Sequence, residues 1–264
     1  NGWDCMIKKI TYVLLAIILI SGLVLGGCTK ETPATTTTVK SKYGGTLKYA
    51  DPIGPRTSLG WMADPVGFLG GVYSNIFFDT LLESDNNGII KPCLATKYEV
   101  SSAMNAITLT LRQGVKFHDG SDWNATVAKW NLDQIIGAKI GEYVTVTSVD
   151  IVDNYTIKLN ISKYTNTLLN YIASTFIISK AFYDSKGGGK DAIEAMRWNP
   201  VGTGPFKFVS YTPNVVIKGS KFDNYWQTGK PYVDAIEYYI IGDQMTRAQS
   251  FQAGEVDAIA GDLS

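Results

Sequence analysis

The segment from Val233 to Ala260 constrains the fold most. Val233 to Ile241 reads as a strand, Gln244 to Ala253 as a helix with Gly254 at its C′ position, and Val256 to Ala260 as a second strand. Two strands joined through a helix by links this short must lie parallel, and such a crossover is right-handed. Earlier stretches follow a period of two. Ile107, Leu109 and Leu111 alternate with Thr108, Thr110 and Arg112, as in a half-buried antiparallel strand. Val144–Ile151 with Tyr155–Ile161 reads as a hairpin about Asp153-Asn154, and Phe206–Ser210 with Val215–Lys218 as another about Pro213-Asn214. The fold class is therefore α/β, with an antiparallel insert beside a parallel sheet. The chain stops four residues after Ala260. A sheet begun by one crossover is left open there, so the sequence reads as a fragment.

The intervening stretches fill out this pattern. Gly45–Ala50 predicts a short first strand closed by Asp51-Pro52, followed by a Gly/Pro-rich loop through Trp61. Tyr73 to Leu82 predicts a helix with Val72, Ile76, Leu81 and Leu82 as apolar contacts. Asn86-Asn87-Gly88 is a turn signal ahead of Ile89-Ile90. Asn124 is an N-cap for a helix to about Ile136, with Ala128, Leu132, Ile135 and Ile136 on one face.

The N-terminus carries an export signal. Met6, the expected start, precedes Lys8 and Lys9, an apolar run from Tyr12 to Ile20, and then small residues up to Cys28. The stretch is long enough that a retained membrane anchor is the alternative. Leu25-Gly26-Gly27-Cys28 resembles the lipobox of bacterial lipoproteins. That resemblance implies lipid attachment at Cys28, cleavage just before it, and an extracytoplasmic protein anchored to a membrane by acyl chains. Residues 29–42, Thr-rich and without apolar periodicity, read as a flexible tether, so the folded part begins near Tyr43.

Composition removes several function classes. Lys+Arg and Asp+Glu balance at 24 each, which gives no electrostatic grip on nucleic acid. Cys5, Cys28 and Cys93 have no metal-ligand spacing and His118 is the single histidine, so neither a zinc site nor a disulfide framework is expected. Gly187-Gly188-Gly189-Lys190 is followed by Asp191, which fails the phosphate-loop pattern and reads as a surface loop. No GxSxG occurs and no Ser/His/acid set can be built, so the chain is not read as an enzyme. No cofactor is expected.

Seven segments in order resemble the peptide/nickel family of ABC-transporter solute-binding proteins, family 5. They are Gly44–Tyr49, Ile76–Glu83, Leu111–Gly120, Asn199–Phe206, Asn224–Trp226, Gly229–Asp234 and Ala253–Asp257. The resemblance implies a bilobal, type II periplasmic-binding-protein-like fold, with ligand trapped by hinge closure and then passed to ABC permease subunits. On that frame, residues 1–28 are signal peptide, 29–42 tether, 43–80 the first part of lobe I, 81–198 an inserted subdomain, and 199–264 the second part of lobe I. The second lobe is absent from this chain. In peptide-binding members an acidic residue of that lobe holds the ligand amine.

The expected function is capture of oligopeptides or dipeptides for import. The alternatives are an oligosaccharide or a nickel chelate in the same machine, a surface hydrolase, or a sensor or chaperone without transport. Candidate ligand contacts are Pro52, Ile53 and Gly54, which follow the first strand, and Trp61 nearby, because open α/β sheets bind ligands beyond the C-terminal ends of their strands. Core or loop packing explains Trp61 equally well. His118, on a turn after a strand, is expected to be structural rather than a base or nickel ligand. Gly202-Thr203-Gly204-Pro205 is expected to form a tight architectural turn, Asp257 a helix–strand junction, and Cys93 a small apolar core residue.

Overall fold

A computed structural model describes residues 43–64 and 73–261. The lipobox with Cys28, the tether and Val72 lie outside the described residues. Among the described residues no helix is long and apolar enough to cross a membrane.

Among the described residues eleven strands form three sheets. The first sheet has five strands, β1 (Thr46–Asp51), β8 (Phe206–Thr212), β9 (Val216–Lys221), β10 (Ala235–Ile240) and β11 (Ala258–Ile259), in the order β11-β1-β10-β9-β8. The crossover through α6 (Gln244–Gln252) joins β10 to β11, and both run parallel to β1, which lies between them. The parallel relation is the expected one, but the crossover steps over a strand drawn from the opposite end of the sequence. β8 and β9 form the expected hairpin, and β9 pairs antiparallel with β10. Asn214 turns the hairpin at φ 58, a left-handed conformation that asparagine tolerates.

The second sheet has the order β4-β5-β7-β6, from β4 (Ala95–Val100), β5 (Ala106–Leu111), β6 (Val146–Asp153) and β7 (Thr156–Ile161), all antiparallel. The alternation in β5 does what it predicts, since Ile107, Leu109 and Leu111 are all buried. α2 (Ala125–Gly137) packs on β6 and starts at Asn124, whose side chain accepts from the Val127 N–H at 3.1 Å. A two-stranded hairpin, β2 (Leu82–Ser84) with β3 (Ile90–Pro92), closes at the Asn86–Gly88 turn. Asp85 Oδ1 there accepts the Asn87 and Ile89 N–H groups.

Two expectations are corrected. The helix read over Tyr73–Leu82 is a single turn, α1 (Ser74–Phe77), and Leu82 begins β2. Phe78 turns extended (φ −128°, ψ 146°), while the Phe77 carbonyl accepts from the Gly204 N–H at 3.0 Å. The backbone group that would continue the helix is thus taken by a segment more than a hundred residues away. The glycine run at 187–189 is not one open loop. All three residues have positive φ, and Gly189 is the first residue of α5 (Gly189–Trp198), behind α4 (Lys180–Ser185). Together with α3 (Asn166–Ser174), these helices join one apolar core that includes Leu168, Ile172, Ile177 and Met196.

Candidate functional site

Strand direction defines the candidate edge. β1, β10 and β11 run parallel, and β8 points the same way because both it and β10 pair antiparallel with β9. The C-terminal ends of β1, β10 and β11 and the β8–β9 turn therefore share one edge, and the Ile240 N–H donating to the Val215 carbonyl at 2.9 Å ties two of these elements together. Pro52, Ile53 and Gly54 leave β1 at this edge. Pro52 and Ile53 are exposed, whereas Gly54 lies against Ile240, where an added Cβ would come within 2.6 Å of Cδ1.

The loop is fixed from below. Asp51, nearly buried, accepts the Ile53 N–H at 2.9 Å, and the Ile53 carbonyl accepts the Tyr238 hydroxyl at 3.0 Å. Burial first, and the Asp51 carboxylate second, push the Tyr49 and Tyr238 phenols above their usual range. Both therefore remain neutral hydroxyl groups at any physiological pH. Arg247 on α6 is also buried, and it clamps the far side of the edge. Its Nε donates to the Ala260 carbonyl at 3.0 Å and its Nη1 to the Ile241 carbonyl at 2.7 Å. Sequence reasoning missed this clamp. The signal was a lone arginine one turn into the crossover helix, facing carbonyls at the ends of the two strands the helix connects.

Trp61 lies elsewhere. It is 6% exposed, stacks on Tyr183 at 6.1 Å and meets Trp130 edge-on at 6.5 Å. Its ring sits in the core beside α2 and α4, and the structure does not bring it to the exposed loop of Pro52 and Ile53.

The motif residues form ties between distant segments. His118 is buried. Its backbone N–H donates to the Gly202 carbonyl at 2.9 Å, its Nδ1 accepts the Gly202 N–H at 3.3 Å, and its Nε2 contacts the Gly204 carbonyl at 2.9 Å. Acceptance at Nδ1 assigns the proton to Nε2, so the ring is neutral. Burial lowers the imidazole pKa from 6.5 to about 4. Gly202 and Gly204 lie so close to Phe77 that a Cβ would come within 2.3 Å of its carbonyl oxygen and 2.5 Å of its carbonyl carbon, respectively. Cys93 is buried, and that burial raises its thiol pKa to about 12.

Asp79 is the second tie. Its carboxylate accepts from Trp226 Nε1 at 2.8 Å, Thr203 Oγ1 at 2.9 Å and Tyr225 hydroxyl at 3.0 Å. Burial raises its pKa while the three donors pull it back. With its oxygens so engaged, Asp79 acts as a strut in the wall of a cleft of about 620 Å³ that also holds Glu83 and Gln227.

Residues 90–263 match the family described as bacterial extracellular solute-binding proteins, family 5 Middle. The chain belongs to that family. Relatives within and around family 5 agree in sequence and in fold. The glutathione-binding protein GsiB of Salmonella typhi is 34% identical over 186 residues, which is 68% of this chain and 35% of that protein. AgaA from A. tumefaciens, solved in complex with agropinic acid, superposes with a TM-score of 0.70 at 30% identity, covering 80% of this chain and 43% of that one. The oligopeptide-binding protein AppA from Bacillus subtilis, solved with a nonapeptide, gives 0.68 at 26% identity, covering 82% and 44%. The chain thus spans about a third of the length of the curated relatives it matches, and its mixed α/β architecture is that of periplasmic binding proteins of family 5.

Proposed function

We propose that this chain is the solute-capturing part of an extracytoplasmic receptor for an ABC importer, and that its solute is a short peptide. The observation that carries this reading is the loop at Pro52–Gly54. It projects from the C-terminal end of β1, exposed on its outer side and pinned from below by Asp51 and Tyr238. A rigid, accessible segment at a sheet edge suits docking of an extended peptide against the exposed Pro52 and Ile53, with little ordering cost on binding. Peptide ligands are favoured by the names of its relatives, a glutathione-binding protein and an oligopeptide-binding protein. Glutathione is itself a modified tripeptide.

The same proposal includes residues 43–80 and 199–264 as two parts of one lobe with 81–198 inserted. It also includes export followed by lipid anchoring at Cys28, and a permease partner that receives the solute. Trp61 serves this site by packing the scaffold rather than by touching ligand.

The test is mass spectrometry of the small molecules released when the protein, purified from its native envelope, is denatured. A set of short peptides is the expected result. A sugar, an opine or a metal chelate in their place would overturn the peptide reading. Products of hydrolysis accumulating from an added peptide would overturn the non-enzymatic one.

A further inference from the structure

Beyond Gly54 the same loop runs into a groove of about 630 Å³ between Pro55-Arg56, the C-terminal end of α5, and the β8–β9 turn. That volume is ample for a ligand the size of a dipeptide. Its chemistry is one-sided. Arg56 is exposed and is the single charged residue among the described residues of the lining, which include no carboxylate. Arg56 makes no ion pair or hydrogen bond with the described residues. Glu194, one turn before Trp198 on α5, accepts from Trp198 Nε1 at 3.3 Å and is paired with Arg197 at 2.9 Å.

An aromatic wall stands in the same groove. Trp198 and Tyr211 are stacked, with centroids 5.8 Å apart and planes 10° from parallel, and Trp198 keeps 37% of its surface exposed. Each ring holds the other in place, so a flat group added to the free face loses little order in the protein. Asn199, Ser210 and Asn214 supply amide and hydroxyl groups around the wall. Asn199 already spends one donor on the Ala195 carbonyl at 2.8 Å, which fixes the direction of its oxygen.

We propose that this groove is a subsite for a carboxylate carrying an aromatic or other flat group, such as the C-terminal residue of a peptide ending in Phe, Tyr or Trp. Arg56 holds the carboxylate in a two-pronged, charge-assisted contact, and the Trp198–Tyr211 pair takes the ring. The proposal rests on the reading of the sheet edge as the solute-binding edge, and it adds which end of the solute faces Arg56.

The probes are N-acetyl-L-phenylalanine and its amide, titrated into the full chain by NMR, beside the dipeptide Ala-Phe and its amide. The wild type should bind each free acid at least tenfold more tightly than the matching amide. Arg56→Gln should abolish that ratio, Arg56→Lys should keep part of it, and Tyr211→Leu should weaken acid and amide alike. The exposure of Arg56 keeps its variants folded, and unchanged thermal melts verify this. No preference for the acid in the wild type, or a preference that survives in Arg56→Gln, overturns the subsite whatever the dipeptides do. Retention of the Arg56-dependent preference for N-acetyl-L-phenylalanine without any binding of dipeptide leaves the subsite standing and sinks the peptide reading instead.

Discussion

His118 should make the stability of this protein depend on pH in a way that its replacement reverses. The ring is neutral and buried, and its pKa is lowered from 6.5 to about 4 by burial. As pH falls, the unfolded chain takes up a proton near 6.5, while the folded chain refuses one until about 4. The unfolded state therefore binds more protons throughout that window, and stability drops as pH falls through it. A lowering of this size corresponds to about 3 kcal/mol lost between pH 7 and pH 4. Asp79 acts in the opposite sense, because its carboxyl pKa is raised by burial and the folded state takes up that proton first. The comparison that isolates the imidazole is His118→Asn. Asparagine Oδ1 can still accept the Gly202 N–H, but nothing then reaches the Gly204 carbonyl, which costs about 1 kcal/mol at neutral pH. Urea unfolding at a series of pH values should show the wild type the more stable protein at pH 7 and the less stable one at pH 4, with crossing curves. Because His118 is the single histidine of the sequence, its imidazole proton resonance can be titrated without assignment. An imidazole that titrates near 6.5 in the folded protein, or stability curves that stay parallel, would refute the bridge to Gly202 and Gly204.

Three further outcomes can be tested, two from the geometry and one from the lipobox. Asp79→Ala strands the hydrogen-bond donors of Trp226, Thr203 and Tyr225 and should cost about 2–5 kcal/mol in urea unfolding, whereas Asp79→Asn should cost less. Gly204→Ala drives a methyl to 2.5 Å from the Phe77 carbonyl carbon, a clash with backbone, and should lose about 1–3 kcal/mol or more. Gly242→Ala, with nothing within 4 Å, serves as its silent control in the same thermal melts. Cells fed a radiolabelled fatty acid should label the wild-type protein but not Cys28→Ser, which should also leave the membrane fraction. Labelling that persists in the variant would exclude Cys28 as the anchor.

Elements governed by neighbours in sequence were legible in advance. The alternation at Ile107–Leu111, the Asn124 cap and the turns at Asp153-Asn154 and Pro213-Asn214 each depend on contacts within a few residues, and each lies where its pattern puts it. The errors lie where distant chain decides. Nothing local in Ser74–Leu82 says that the Phe77 carbonyl will accept from Gly204, so a helical pattern was read through a segment that turns extended. Nor does the spacing between β10 and β11 reveal that β1 separates them. At the site, the loop after β1 followed from a general rule about sheet edges. The Arg247 clamp and the Arg56 groove did not, because each draws on residues from separate elements. Trp61 sits in a loop by sequence, and only its stacking on Tyr183 reveals it as core.

The position of β1 between β10 and β11 has a consequence for how the protein is made. Thr46 pairs with Ala235 and Tyr49 with Ala258, so the earliest strand of the sheet has no partner until the ribosome has passed about two hundred further residues. The antiparallel sheet of β4 to β7 closes over a much shorter span and can form while β1 is still waiting. Pairings at such long range slow folding more than they weaken the folded state, because loop entropy grows only by about 0.6 kcal/mol per doubling. Under the export proposed above, a chain that crosses a membrane before it folds gains from that delay. β1, which leads into the proposed solute-binding loop, would then stay unpaired long enough for an export machine to thread the chain.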